Sequence, residues 1–542
     1  MLACVGTGCG GQASEDATEE TSGSTETAAG DPTAAGQADA EDGGAEDGGA
    51  EDGGATAGTT PKRIFAQRFV VAIRESPAET ATRIGRMRAG SVLNAKTAAP
   101  VGFTDCPAGW YELETGGFVC NRREVIAFDG DRLPEVRFRQ PRMADPLPYE
   151  FGYIRSEVPV YRRPPTDEEA MEHEGWRPPA PEGTEGTEGN TTAPSEGGSA
   201  QAAAEPTPAA VEPPTPAAPV EATPTPPVAV AEGTEVVPEE EPEPVTLDSL
   251  RGEGVVHHRA MRGFWVSLDR RIRSGPRSYW RTQSSLFVPA RAITTRPGST
   301  FAGLALDETT TLPVGFISRR QGINAESMDE RGRLRRARRM YHRDSFAIAR
   351  EETVGNRLYY VTAEGLYYRA DQVMKVDRIE REARIPAGVK WIEVNLENQT
   401  LVAYDGDRPV YVTLISSGRV KRRGDEDHDH HTPTGVFRIR EKHITNTMDG
   451  DGTVVDGPYS IEDVPYVQYF WRSFAFHTAF WHDNFGRTKS HGCVNMSPAD
   501  SRWLFNWTTP GLPGGWHSVW APEGEADTAP TYVWVHGETP LG

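Results

Sequence analysis

Cysteine is scarce in this chain of 542 residues, with five in all: Cys4, Cys9, Cys106, Cys120 and Cys493. Only one falls in the last four hundred residues, so no disulfide framework and no zinc cage of thiolates can organise the C-terminal half. Long apolar runs are also missing. No stretch of 18 apolar residues occurs, which excludes a helical membrane span within the sequence. Positive charge is absent from residues 1–60, which hold 13 acidic residues and no Lys or Arg. Residues 164–246 are similar, with 18 acidic residues against Arg177 alone, in a background of Pro, Ala and Thr. Neither segment has enough apolar side chains to offset its ordering entropy, and both are expected to be disordered. The net charge of −22 belongs to these tethers. The foldable remainder is mildly basic, which suits work beside an anionic polymer and equally suits plain solubility. No pattern points to nucleic acid.

What remains divides into pieces. Residues 61–127 read as a small β module, with short apolar runs such as Phe69-Val70-Val71-Ala72-Ile73 and Trp110-Tyr111-Glu112-Leu113 broken by turns. The pattern resembles a bacterial SH3-like barrel. Cys106 and Cys120 flank Trp110-Tyr111 and are expected to staple this module as a disulfide in an oxidising compartment; two buried free thiols are the alternative. Residues 146–163 and 247–300 read as one β module split by the linker, since long surface insertions cost little. Residues 301–378 read as another β-rich module. From 383 to 537 the pattern changes. Ile392, Val394 and Leu396 alternate with Glu393 and Asn395, as in a half-buried strand, and two further strands follow to Ile415. Asp500–Trp507 reads as a helix opening after Ser497-Pro498, and Thr531–Val535 as a last strand.

The chemistry concentrates in Ser490-His491-Gly492-Cys493-Val494-Asn495. A cysteine nucleophile needs a base and nearby N–H groups to hold the oxyanion it creates. His477 stands sixteen residues upstream, and Gly492 permits the tight turn that aims N–H groups at a carbonyl. Phe476-His477-Thr478, Asn484-Phe485-Gly486-Arg487 and this hexapeptide resemble the active-site signature of the L,D-transpeptidases, the YkuD family. Thr432-Pro433-Thr434-Gly435-Val436-Phe437 and Trp391–Leu396 resemble its other motifs, and the likeness spans about residues 384–537.

The resemblance implies a mainly β protein, with a YkuD-like β-sandwich following SH3-like modules and acidic or Pro-rich linkers. It implies Cys493 as nucleophile and His477 as base, with the Thr478 carbonyl orienting that histidine. The N–H groups of His491, Gly492 and Cys493 would form the oxyanion hole, supported by Ser490 and Asn495. It implies no cofactor and no metal. The substrate would be the tetrapeptide stem of peptidoglycan, cleaved before its terminal D-alanine. A diaminopimelate amine would then give a 3→3 cross-link, a protein lysine would anchor that protein to the wall, and water would give carboxypeptidase action.

Other readings compete. Papain-like endopeptidases place Cys before His, the reverse of the order here, and a non-enzymatic wall-binding lipoprotein would leave Cys493 and His477 idle. Asp427-His428-Asp429-His430-His431 could bind zinc, but no spaced partner motif accompanies it, and a solvated loop near the site's mouth is the better reading. His491 reads as structural. Trp471, Trp481, Trp503 and Trp507 could stack on sugars, although core packing suits most of them. The N-terminal Met1-Leu2-Ala3-Cys4 resembles the end of a lipoprotein signal. Lipidation at Cys4 or Cys9 would put the enzyme in the periplasm or cell envelope, and a sixty-residue tether reaches roughly 40 Å from a lipid anchor.

Overall fold

The computed structural model describes residues 62–67, 70–129, 138–177, 245–420, 430–451, 457–521 and 530–541. The possible anchors Cys4 and Cys9, the 1–60 tether, most of the 164–246 linker and Asp427–Asp429 lie outside the described residues. The chain is mainly β, with two α-helices among the described residues. None of the helices described is long and apolar enough to cross a membrane.

The C-terminal region is built on a six-stranded sheet. Strand Lys390–Asn395 sits at its centre, antiparallel to Thr400–Asp405 and parallel to the last strand, Tyr532–His536. Arg408–Leu414 continues one side, and Gly435–Arg438 closes the other. Ile392, Val394 and Leu396 point to one face, where Phe476, Val494 and Leu504 of the second layer cover them. Each such side chain contributes about 1.5–3 kcal/mol on full burial.

The opposite face departs from the expected half-buried pattern. Trp391, Val402, Tyr404 and Val412 pack there against Val314 and Phe316 of the 301–378 region. Glu393 is consequently buried, and its carboxylate lies 3.0 Å from His536 Nε2. A strand covered on both sides has no free face for alternation to report. The same sheet also takes its edge strand from upstream, because Leu304–Ala305 pairs with Val412 and Tyr411.

The second layer carries the long hairpin Glu441–Gly450 and Tyr459–Trp471, then Phe474–Thr478 and Val494–Met496. Helix Pro498–Trp507 closes it. Its start follows from Ser497, whose hydroxyl accepts from Asp500 N–H, and from Pro498 at the first turn.

Upstream, Glu150–Ile154 lies between Trp265–Ser274 and Ile293–Arg296, and Val158–Tyr161 pairs with Val256–Ala260. Segments on either side of the linker thus share one sheet. Cys106 and Cys120 are joined by a disulfide beside the buried Trp110.

The linker's first turn corrects the expectation of disorder from residue 164. Asp167–Glu174 is a helix with a complete capping box, in which Thr166 and Glu169 exchange side-chain and backbone bonds. Composition hid it, because its anchoring is polar: Glu174 accepts hydrogen bonds from Tyr161 and Tyr279 and pairs with Arg291.

The long hairpin is also the seam between regions. Its first strand pairs with Ser518–Trp520, which pairs with Arg83–Arg88 of the N-terminal β region. At that seam a Cβ on Gly85 would lie 2.2 Å from the Trp516 ring, so only glycine allows the approach. Ile461 of the hairpin meets Trp265 in a parallel bridge. Beneath both contacts, Arg88 and Asp463 form a buried ion pair, and Asp463 also accepts from Ser267 Oγ at 2.6 Å and Thr445 Oγ1 at 2.8 Å. One carboxylate therefore binds side chains from three regions of the chain.

Candidate active site

Strands Phe474–Thr478 and Val494–Met496 run parallel, with His477 opposite Asn495. Cys493 immediately precedes the second strand, so the register sets it close to the histidine's strand. The turn before it is held by its own polar atoms. Lys489 and Ser490 N–H both donate to the Ser417 carbonyl, at 2.9 and 3.0 Å, and Arg419 N–H donates to the Ser490 carbonyl at 2.9 Å. Ser490 Oγ accepts from Gly492 N–H at 3.1 Å and donates to the Cys493 carbonyl. The buried Thr432 hydroxyl bolts the turn from below, accepting from Gly418 N–H at 2.9 Å and donating to the Gly492 carbonyl at 2.7 Å. Gly492 has φ +116°, and a Cβ there would lie 2.5 Å from the Phe474 ring. Both facts require glycine.

His477 is buried, and its Nδ1–H donates to the Thr478 carbonyl at 3.1 Å. That bond fixes the tautomer and leaves the Nε2 lone pair to accept a proton. Burial pushes the imidazole down to about 4, partly opposed by the carbonyl bond. Cys493 is partly exposed, its Sγ 3.6 Å from the Ser473 carbonyl, and burial among its neighbours pushes the thiol up to about 11. At neutral pH the resting pair is therefore a thiol and a neutral imidazole. A thiolate must form as attack occurs rather than before it.

Both side chains line one cavity of about 450 Å³, with Tyr459, Tyr469, Trp481 and Lys489 among its other walls. Ser490, His491 and Asn495 line it too, whereas Thr478 and Gly492 lie behind it. The Thr478 hydroxyl bonds to Ser501. His491 stacks on Tyr459, with ring centroids 5.7 Å apart, and meets the edge of His430 at 4.6 Å, which brings the end of the Asp427–His431 stretch to this wall. Among the described residues no His, Cys, Asp and Glu side chains cluster to hold a metal ion.

Asn495 is buried, with its amide 2.9 Å from His482 Nε2. His482 Nδ1 accepts from Asn484 N–H at 3.2 Å, so Nε2 carries the proton and is satisfied when the Asn495 amide presents its oxygen. Of the four tryptophans, Trp503 stacks on Tyr411 and Trp507 on Trp503, while Trp471 is exposed. Trp481 alone of the four walls the cavity, its ring 5.8 Å from that of His477.

Sequence reasoning missed the structural use of the Thr432 hydroxyl, the walls Tyr459 and Tyr469, and the tie between His482 and Asn495. The only available signal was the Thr-Pro-Thr-Gly motif. The other contacts arise between segments whose spacing carries no pattern.

Residues 389–514 match the YkuD family, the L,D-transpeptidase catalytic domain. No curated protein matches. Among solved structures, the chain resembles the Ldtfm–avibactam carbamoyl enzyme at 24% identity and TM-score 0.21, covering 30% of this chain and 55% of that one. It resembles an L,D-transpeptidase from Stackebrandtia nassauensis at 24% identity and TM-score 0.20, covering 30% and 60%. The catalytic domain of the E. faecium L,D-transpeptidase gives 27% identity and TM-score 0.20, covering 28% and 98%. The chain thus spans little more than half the length of the first two.

Proposed function

We propose that this protein is a peptidoglycan L,D-transpeptidase working through a Cys493 thioester. The observation that carries the reading is the pairing of the two strands: it sets Cys493 and His477 in one cavity, with Nδ1 of the histidine bound to the Thr478 carbonyl. Cys493 Sγ attacks the carbonyl carbon before the terminal D-alanine of a tetrapeptide stem as its proton passes to His477 Nε2. The C–N bond breaks, His477 returns that proton to the departing amine, and a thioester remains. An acceptor amine attacks the thioester, giving its proton to His477, and the C–S bond breaks to regenerate the thiol. Gly492 N–H is engaged by Ser490 inside the turn, so the N–H groups of His491 and Cys493 are assigned to the oxyanion, and Gly492 shapes the turn. Such a donor is worth roughly 3–4 kcal/mol in acyl transfer.

The substrate class puts the site of action in the cell envelope. The upstream β regions, SH3-like in strand pattern, are assigned to holding the wall, and Cys4 or Cys9 to a lipid anchor. The test is intact-protein mass of the full chain mixed with a disaccharide-tetrapeptide. A gain equal to the fragment minus D-alanine is expected, and it should vanish in Cys493→Ala. The same adduct in Cys493→Ala, or neither adduct nor released D-alanine from the folded wild type, would overturn the proposal.

A further inference from the structure

A second cavity, of about 550 Å³, abuts the catalytic one. Its walls include Tyr153, Trp265 and Arg296 of the split upstream region, and Phe480, Trp481 and His482 of the catalytic region. Trp481 lines both cavities. We propose that this second cavity is the acceptor subsite, taking the carboxylate-bearing stem peptide whose amine resolves the thioester, with Arg296 as the cation that receives it. The inference rests on the transpeptidase reading above.

Three observations lead there. The first concerns direction. One base serves both half-reactions, so the departing and the arriving amine must each come within reach of His477 Nε2. The His477 ring lies against Trp481, and the space bordered by Trp481 beyond the catalytic cavity is the second one. D-alanine is a single residue and ends close to the histidine. An acceptor stem is several residues long, and its remainder needs a continuing groove.

The second observation is charge. Asp483, the carboxylate in this lining, is committed elsewhere: Arg343 grips it through two nitrogens, at 2.6 and 2.5 Å, and Ser299 Oγ donates to it. His482 is kept neutral, pushed down to about 4 by burial and by nearby Lys489. Arg296 remains. It stands exposed at the end of strand Ile293–Arg296, and its guanidinium makes no hydrogen bond or ion pair among the described residues. A planar, permanently charged fork suits a carboxylate, and stem peptides carry several.

The third observation is construction. Tyr153 and Trp265 meet edge to face at 5.2 Å, Trp265 and Phe480 at 5.3 Å, and Phe480 and Trp481 at 5.0 Å. This ring chain runs from the upstream region to the wall of the catalytic cavity. It provides a firm apolar floor for the methyl and methylene groups of a peptide, and only the complete chain builds it.

The test separates the two half-reactions in the full-length protein. Acylation is read by intact mass with a disaccharide-tetrapeptide. Transfer is read by chromatography of the cross-linked product, using as acceptor a tripeptide stem with free carboxylates or its fully amidated counterpart. The wild type should prefer the carboxylate acceptor. Arg296→Ala should lower its transfer rate to that acceptor about tenfold, remove the preference and leave acylation unchanged, with Arg296→Lys restoring part of the preference. An Arg296→Ala enzyme that keeps the wild-type rate and preference would overturn the acceptor assignment, as would a defect confined to acylation. A wild type that forms no acyl-enzyme fails at the earlier reading instead.

Discussion

Two polar pairs meet the long hairpin of strands Glu441–Gly450 and Tyr459–Trp471, and their electrostatics are opposite. Cys493 and His477 are both neutral at rest, the thiol pushed up to about 11 and the imidazole down to about 4. Arg88 and Asp463 are both charged, the carboxyl held down to about 2 by the guanidinium and its hydrogen bonds against the cost of burial. The Cys493–His477 pair has few polar neighbours, since His477 has one backbone carbonyl and Cys493 a distant one and the Ala475 backbone. Asp463 has Arg88, Ser267 and Thr445 around its two oxygens. Charge can stay inside the protein where every lone pair is met, and it is suppressed where chemistry needs an uncommitted lone pair. The first arrangement joins regions of the chain, and the second keeps a proton acceptor ready.

The sharpest way to break the comparison is His477→Ala. It removes the proposed base and touches no ion pair among the described residues. The acylation rate, followed by mass against time, should fall about 10²–10⁴-fold. The thermal midpoint should fall less than when a buried ion pair is broken, because the loss is packing and one backbone bond of a neutral histidine. An unchanged acylation rate would remove His477 as the base.

Asp463→Ala is the complementary break. It removes the carboxylate that Arg88 grips and strips acceptors from Ser267 and Thr445, which should cost about 3–5 kcal/mol of stability. The thermal midpoint should fall clearly, while protein still folded at low temperature should form the acyl-enzyme. A midpoint equal to wild type would show that the junction does not hold the regions together. Loss of acylation in folded protein would show that the hairpin also shapes the site.

The two centres also differ in how far the sequence exposes them. Ser490–Asn495 stood out because its cysteine and turn glycine are contiguous, and the structure brings it beside His477 because the two strands pair directly. Thr432 was visible only as a turn motif, since its hydroxyl works across sixty residues. The Arg88–Asp463 pair joins positions 375 residues apart and leaves no periodicity. Glu393 was misread as solvent-facing because the covering layer comes from another part of the chain. The helix at 167–174 was hidden because its contacts are polar and composition counts apolar residues. Local chemistry is written in order along the chain, whereas the docking of one region on another is not.

The smallest effect sharpens the comparison within the junction itself. Glu462, next to Asp463, accepts from Ser267 N–H at 3.1 Å and from Ser284 Oγ at 3.3 Å. Burial and the Asp463 charge push its carboxyl up to about 7 from an ordinary 4.5. A carboxyl raised on folding gives stability that is complete below the unfolded value and is lost as pH climbs through the folded one. Glu462 therefore favours the fold below about pH 4.5 and loses that contribution by about pH 7. His477 acts with the opposite sign, because its depressed value makes its contribution complete above 6.5 and lost as pH falls through about 4. Glu462→Gln keeps the shape and cannot ionise. Its stability relative to wild type should rise between about pH 4.5 and about pH 7, read as urea midpoints, with no change in acylation rate at fixed pH. Parallel wild-type and variant curves would place Glu462 with ordinary exposed carboxylates, leaving the Arg88–Asp463 pair as the charges that burial has tuned at the junction.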